Sequence, residues 1–163
     1  MFRADRKDGV EGVYACREGS IRTVAETGDF FETLALFPSL NDQGTVAFAA
    51  TLLGGGAGIF TEDEGRITRL IDTDDAFEAC RGALITSAGE VVFTATPRGG
   101  SLGLFAGPDP EADRMLALGD PLFDSTVAEL ASNPVSVNAA GHLAIRVRLT
   151  DGRQLILRAD PVG

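Results

Sequence analysis

The chain is 163 residues long and 44% hydrophobic, with 24 Asp and Glu against 14 Lys and Arg and a formal net charge of −10. A chain of that length buries a core as one domain without staples. The acidic surplus favours solubility and excludes a nucleic-acid backbone or an anionic membrane as the main partner, since both need a basic footprint; no apolar run is long enough to cross a bilayer.

Residues 1–11, MFRADRKDGVE, read as a charged N-terminal arm. Charges stand where an export signal would hold its apolar stretch, so a cytoplasmic address is the default expectation. Residues 12–163 read as a single repeat domain. Three glycines open an apolar pair, in Gly12-Val13-Tyr14, Gly58-Ile59-Phe60 and Gly103-Leu104-Phe105. Seventeen residues after each stands an aspartate, Asp29, Asp75 and Asp120, with Phe31, Phe77 and Phe123 close behind. A second marker interleaves with the first. NDQGTVAFAATL from Asn41, TSAGEVVFTATP from Thr86 and NAAGHLAIRVRL from Asn138 share a small or polar opening, a glycine and a strand-like run. Independent landmarks recurring together mark a tandem repeat of about 45 residues. It divides the domain into a partial unit 12–40, full units 41–85 and 86–137, and a partial unit 138–163. The second full unit is longer, and its segment 122–135 is the expected place of a loop particular to this protein.

Within a unit, the turn-forming stretches NDQG, LGGGAG, EDEG and DTDD separate four short strands: a run ending at Leu40, then TVAFAATL, AGIFTE and RITRLID. Val46, Phe48 and Ala50 point one way along the second strand, and the smaller Ala47, Ala49 and Thr51 the other. Val91, Phe93 and Ala95 stand against Val92, Thr94 and Thr96 in the same way. A half-solvated sheet would alternate apolar and charged residues, whereas this pattern suits sheets covered on both sides. The expected fold is all-β, built of β-propeller-type four-stranded repeats; a β-trefoil, with three units near this length, is the alternative.

The combination N-x-x-G-x-V-A-F-x-A-x-L, then G-I-F, then G-D and an aromatic, resembles an uncharacterised bacterial tandem-repeat family with propeller-like units. NDQGTVAFAATL with GIF matches closely, TSAGEVVFTATP with GLF well, and NAAGHLAIRVRL has drifted; PSLNDQG and GDFF also match. The resemblance covers most of the chain after the first eleven residues. It implies a propeller-like fold in a family whose members are often exported, and it carries no catalytic residue over. About three blades in one chain would leave end faces and edges in need of cover, so the expected assembly is a homodimer closing a six-bladed ring.

His142, the single histidine, holds the place of Thr45 and Glu90 after the turn glycine and reads as a solvent-facing strand start. One histidine supports neither a histidine metal site nor a legible Ser-His-Asp or Cys-His arrangement. In the acidic turn IDTDDAFE, Asp72, Asp74 and Asp75 offer hard oxygens to Ca²⁺, as do Asp109, Glu111 and Asp113, although neither stretch has the ligand ladder of a Ca²⁺ loop. Asp29, Asp75 and Asp120 read as turn residues that accept from nearby backbone N–H groups, with Phe31, Phe77 and Phe123 as their core anchors.

LLGGGAG lacks the Lys-Ser/Thr of a phosphate loop and reads as a hairpin. Arg146, Arg148, Arg153 and Arg158 make the last strands basic, either as a surface for the acidic turns of a second chain or as a solvated edge. Cys16 and Cys80 read as two buried thiols without metal or redox spacing. The expected function is a non-catalytic binding or scaffold module whose contacts lie on loops at the strand ends. The alternatives are a carboxylate-based hydrolase or lyase at a central channel and a Ca²⁺-stabilised surface protein.

Overall fold

A computed structural model describes residues 1–17 and 19–160; Glu18 and the last three residues of the expected unit 138–163 lie outside them. The regular structure is all-β, in four sheets that succeed one another along the chain. The first sheet holds β1 (Phe2–Asp5), β2 (Glu11–Arg17) and β3 (Ser20–Glu26). The second holds β4 (Phe31–Leu34), β5 (Ser39–Leu40), β6 (Val46–Leu52), β7 (Ala57–Asp63) and β8 (Arg66–Asp72). In the third are β9 (Phe77–Ile85), β10 (Val91–Pro97), β11 (Gly103–Phe105) and β12 (Arg114–Ala117). The fourth holds β13 (Pro121–Leu122), β14 (Ser125–Ala131), β15 (Leu143–Leu149) and β16 (Gln154–Ala159).

Each of the later sheets draws its first strand from the end of the preceding sequence unit, so unit 41–85 contains β6, β7, β8 and β9. Two expectations change here. Residues 1–11 are no free arm, because β1 pairs with β2 and sets Phe2 opposite Tyr14. Segment 122–135 is mostly strand, with β14 paired to β15, and the loop shrinks to residues 132–136.

The sheets pack face to face in chain order. Val13, Ala15 and Val24 of the first meet Phe31, Phe48 and Phe60 of the second. Ala47, Ala49, Ile59 and Ile71 on the other side of the second sheet meet Phe77, Phe93 and Phe105 of the third. Leu84, Val92 and Leu104 of the third then meet Val127, Ile145 and Leu157 of the fourth. Strand β6 thus buries both faces, large side chains one way and small ones the other, as its alternation requires. The first and last sheets share no core, so the described chain is by itself neither a closed propeller ring nor a closed trefoil.

The repeat has a physical unit, a triad of rings. Phe48 and Phe60 lie opposite each other on β6 and β7, stacked at 5.6 Å, and Phe31 meets both edge-on at 5.6 and 5.0 Å. Phe93, Phe105 and Phe77 repeat this at 6.0, 5.7 and 5.1 Å. In the fourth sheet Ile145 and Leu157 form the opposed pair, and Val127 takes the third place, opposite Leu149 as Phe77 is opposite Pro97. Phe123 therefore does not anchor a core: the β13–β14 hairpin displaces it to a surface position, 59% exposed with φ +49.

The N-x-x-G turn is also one structure used three times. Asn41, Thr86 and Asn138 each donate their N–H to the carbonyl of the fourth residue on, at 3.1, 2.8 and 3.1 Å. Their side-chain oxygens accept from the N–H of Thr45, Glu90 and His142 at 3.0, 3.1 and 3.0 Å. Gly44, Gly89 and Gly141 supply the left-handed residue that closes the turn, at φ +98, +89 and +80. His142 is thereby placed as a turn-following residue equivalent to Thr45 and Glu90.

Candidate ligand cleft

In each later sheet one strand is broken, bulged or ended, and these places meet along two cavities. In the second sheet β4 stops at Leu34 and β5 resumes at Ser39, across a segment ending in Pro38, which has no N–H to give a ladder. In the third, β9 runs through but bulges: Arg81 lies opposite Thr94 and Ala83 opposite Phe93, leaving Gly82 as an extra residue at φ +47. In the fourth, β14 ends at Ala131 ahead of Ser132-Asn133-Pro134.

Two neighbouring cavities result. One, of about 240 Å³, is walled by Thr33, Ala35, Ala49 and Cys80. The other, of about 270 Å³, is walled by Phe37, Thr94, Leu130 and Asn133. Arg81 and Gly82 line both. Arg81 is exposed, and no ion pair or side-chain hydrogen bond among the described residues engages its guanidinium. Phe37, which lines the second cavity, is 65% exposed.

A guanidinium offers a rigid fork of donors that matches a carboxylate or phosphate, and Arg81 lines two mainly apolar cavities, with Thr33 in the wall of one and Thr94 in the wall of the other. Burial pushes the Cys80 thiol up to about 11, with Asp72 adding to the effect. Since the thiolate is the nucleophile, Cys80 lines its cavity at neutral pH as an apolar group.

The acidic residues singled out from sequence lie elsewhere. Asp72 pairs with Arg69 at 3.0 Å, and its Oδ1 accepts the N–H of Asp74 at 3.0 Å; Asp74 and Asp75 are exposed. Among the described residues no three His, Cys, Asp or Glu side chains gather as a metal-holding group. Of the three repeated aspartates, Asp120 accepts the N–H of Ala117 at 2.8 Å and pairs with Arg114. The repeated clamp of the first two sheets is instead a threonine two residues earlier: Thr27 and Thr73 Oγ1 accept the N–H of Glu11 and Ala57 at 3.0 and 2.8 Å.

Three of the four C-terminal arginines are paired within the chain, Arg148 with Glu129, Arg153 with Asp151 and Arg158 with Asp160. Cys16 is exposed rather than buried, because it alternates with Ala15 onto the uncovered side of the first sheet, and both thiols are free. The one buried charged side chain among the described residues is Glu62, 1% exposed. Arg22 of the first sheet reaches across to it, and Glu62 Oε1 accepts the N–H of Gly65 at 2.7 Å, so it clamps two sheets together.

Comparison with known proteins gives no match to a family model, to a curated protein or to a solved structure. Of the cleft's lining the sequence brought forward Cys80 and the segment 122–135, which supplies Leu130, Ala131, Ser132, Asn133 and Pro134, but not Arg81. Its one signal is the pair Arg81-Gly82 inside an otherwise apolar strand, where a glycine marks a bulge.

Proposed function

We propose that this protein is a non-catalytic binding module whose ligand carries an anionic group, of the carboxylate kind, on a compact apolar body. Arg81 receives the anion, and the two cavities beside it take the apolar part. The observation that carries this reading is that Arg81, exposed and without a carboxylate partner among the described residues, lines both cavities in a chain of net charge −10. An unpaired cation amid apolar walls favours a small carboxylate over a neutral ligand and over a nucleic acid, whose many phosphates the acidic surface would repel. The stacked four-stranded sheets fit blades of a propeller-type arc with this cleft on its inner edge, where strand-end breaks converge on ligands.

The test is a thermal-shift panel of matched pairs, such as hexanoate with hexanamide and phenylacetate with phenylacetamide. Native-state binding raises the midpoint, so the acids should raise it and the amides should not. Arg81→Gln should abolish the response, while Arg66→Gln on β8 should retain it. Equal shifts from acid and amide, or a full response in Arg81→Gln, would remove the reading.

A further inference from the structure

Arg81 lines two cavities of similar size whose other walls differ in kind. The one of about 240 Å³ is walled by small side chains, Ala35, Ala49, Ala50 and Ala57 among them. The one of about 270 Å³ is walled by Phe37, Leu84, Leu102, Leu130 and Pro134. Phe37 is exposed, and it belongs to none of the aromatic pairs among the described residues. Its ring is left for another ring to pack on.

The second cavity also has a polar side, to which Thr94, Ser132 and Asn133 contribute. Ser132, Asn133 and Pro134 follow β14, in the segment that lengthens the second full unit. Their loop braces itself: Asn133 Oδ1 accepts the N–H of Val135 at 3.0 Å, and Ser136 Oγ accepts the N–H of Asn133 at 2.9 Å. Those bonds leave Asn133 Nδ2 and the Ser132 hydroxyl without a hydrogen-bond partner among the described residues. No carboxylate lines either cavity. In the first cavity the hydroxyls of Thr33 and Thr51 bond each other at 2.7 Å.

We infer that the ligand is a hydroxyaryl carboxylate, one aromatic ring bearing a short acid arm and a hydroxyl, and that its ring enters the cavity walled by Phe37. This rests on the reading of Arg81 as the receiver of the anion. A benzene-sized guest fills an apolar cavity of about 150 Å³, so a cavity of about 270 Å³ holds one ring with its arm. An aromatic ring meets Phe37 stacked or edge-on, a contact that an alkyl chain does not make. A ring hydroxyl both donates and accepts, so it serves the Asn133 amide and the Ser132 hydroxyl at once. A plain alkyl or aryl acid uses either cavity; the ring hydroxyl selects the second.

The experiment is calorimetric titration with phenylacetate and with meta- and para-hydroxyphenylacetate, for the wild type, Arg81→Gln, Ser132→Ala and Asn133→Ser. None of the three positions is buried, so each variant should keep the wild-type melting transition, which is checked first. Asn133→Ser keeps an oxygen for the Val135 N–H and removes Nδ2. One hydroxy isomer should bind about tenfold more tightly than phenylacetate, the effect of one added hydrogen bond. Ser132→Ala or Asn133→Ser should bring that ratio toward one while phenylacetate still binds, and Arg81→Gln should abolish binding of all three acids. If phenylacetate binds through Arg81 and neither hydroxy isomer gains on it, this inference is overturned and the reading of Arg81 stands. A gain that survives in Ser132→Ala and Asn133→Ser alike overturns it too. Failure of all three acids to bind, or binding untouched in Arg81→Gln, removes the Arg81 reading and this inference with it.

Discussion

The ring of Phe60 folds back over the Cα of Gly58, so that a Cβ placed on Gly58 would stand 2.9 Å from the ring and 2.7 Å from the carbonyl oxygen of Ile71. Gly103 stands likewise beneath Phe105, and Gly12 beneath Tyr14. The recurring Gly-x-aromatic motif is therefore a packing device: removing a side chain at one position lets the ring two residues on lie flat against the strand. Gly58→Ala should destabilise by about 1–3 kcal/mol, as overpacking of a filled core does. Gly54, with open space around it, is the control, and its alanine variant should stay within about 0.5 kcal/mol of wild type in urea unfolding.

Phe77 and Phe123 separate by burial. Phe77, 1% exposed, meets Phe93 and Phe105 edge-on, and Phe77→Ala should cost about 3–5 kcal/mol. Phe123→Ala should change stability by no more than about 0.5 kcal/mol, since the ring lies at the surface. Equal losses at the two positions would contradict the register in which Val127 replaces the third anchor.

The clamp between Arg22 and Glu62 should respond asymmetrically. Arg22→Ala strands a carboxylate inside the protein and should cost about 3 kcal/mol or more. Glu62→Gln keeps an acceptor for the Gly65 N–H and leaves Arg22, whose side chain is 40% exposed, to water, so its cost should be clearly smaller. Denaturant melts of the two variants decide it, and the reverse order would contradict the pairing.

Thermal melts with Ca²⁺ and with chelator test the acidic turn at Asp72, Asp74 and Asp75. Asp72 is already engaged by Arg69 and by the Asp74 N–H, so the two curves should superimpose. A midpoint raised by Ca²⁺ and lost in Asp74→Asn would establish an ion site at that turn.

Much of the fold is legible in the sequence because it rests on local rules. The large and small faces of β6 follow from strand alternation, and the turn at Asn41 follows from a capping side chain and a left-handed glycine. Phe123 misleads because the inserted β13–β14 hairpin shifts the frame, a matter of pairing that spacing along the chain does not carry. Residues 1–11 mislead because their charges stand on a strand at the edge of the stack rather than on a free arm. Arg81 stayed hidden for a different reason: the segment 122–135 and the bulge at Gly82 each leave a local mark, but the cleft forms where breaks in three separate sheets converge, which spacing along the chain does not carry.

The central claim is that a small apolar carboxylate binds at Arg81, and an amide-resolved NMR titration tests it most directly. With phenylacetate or hexanoate as titrant, shifts should saturate and map to residues 33–37, 80–83 and 130–134, with the largest at Arg81 and Gly82. The matched amide should move none of them. Saturating shifts confined to another part of the molecule, or no shift at any concentration the acid's solubility permits, would contradict the claim.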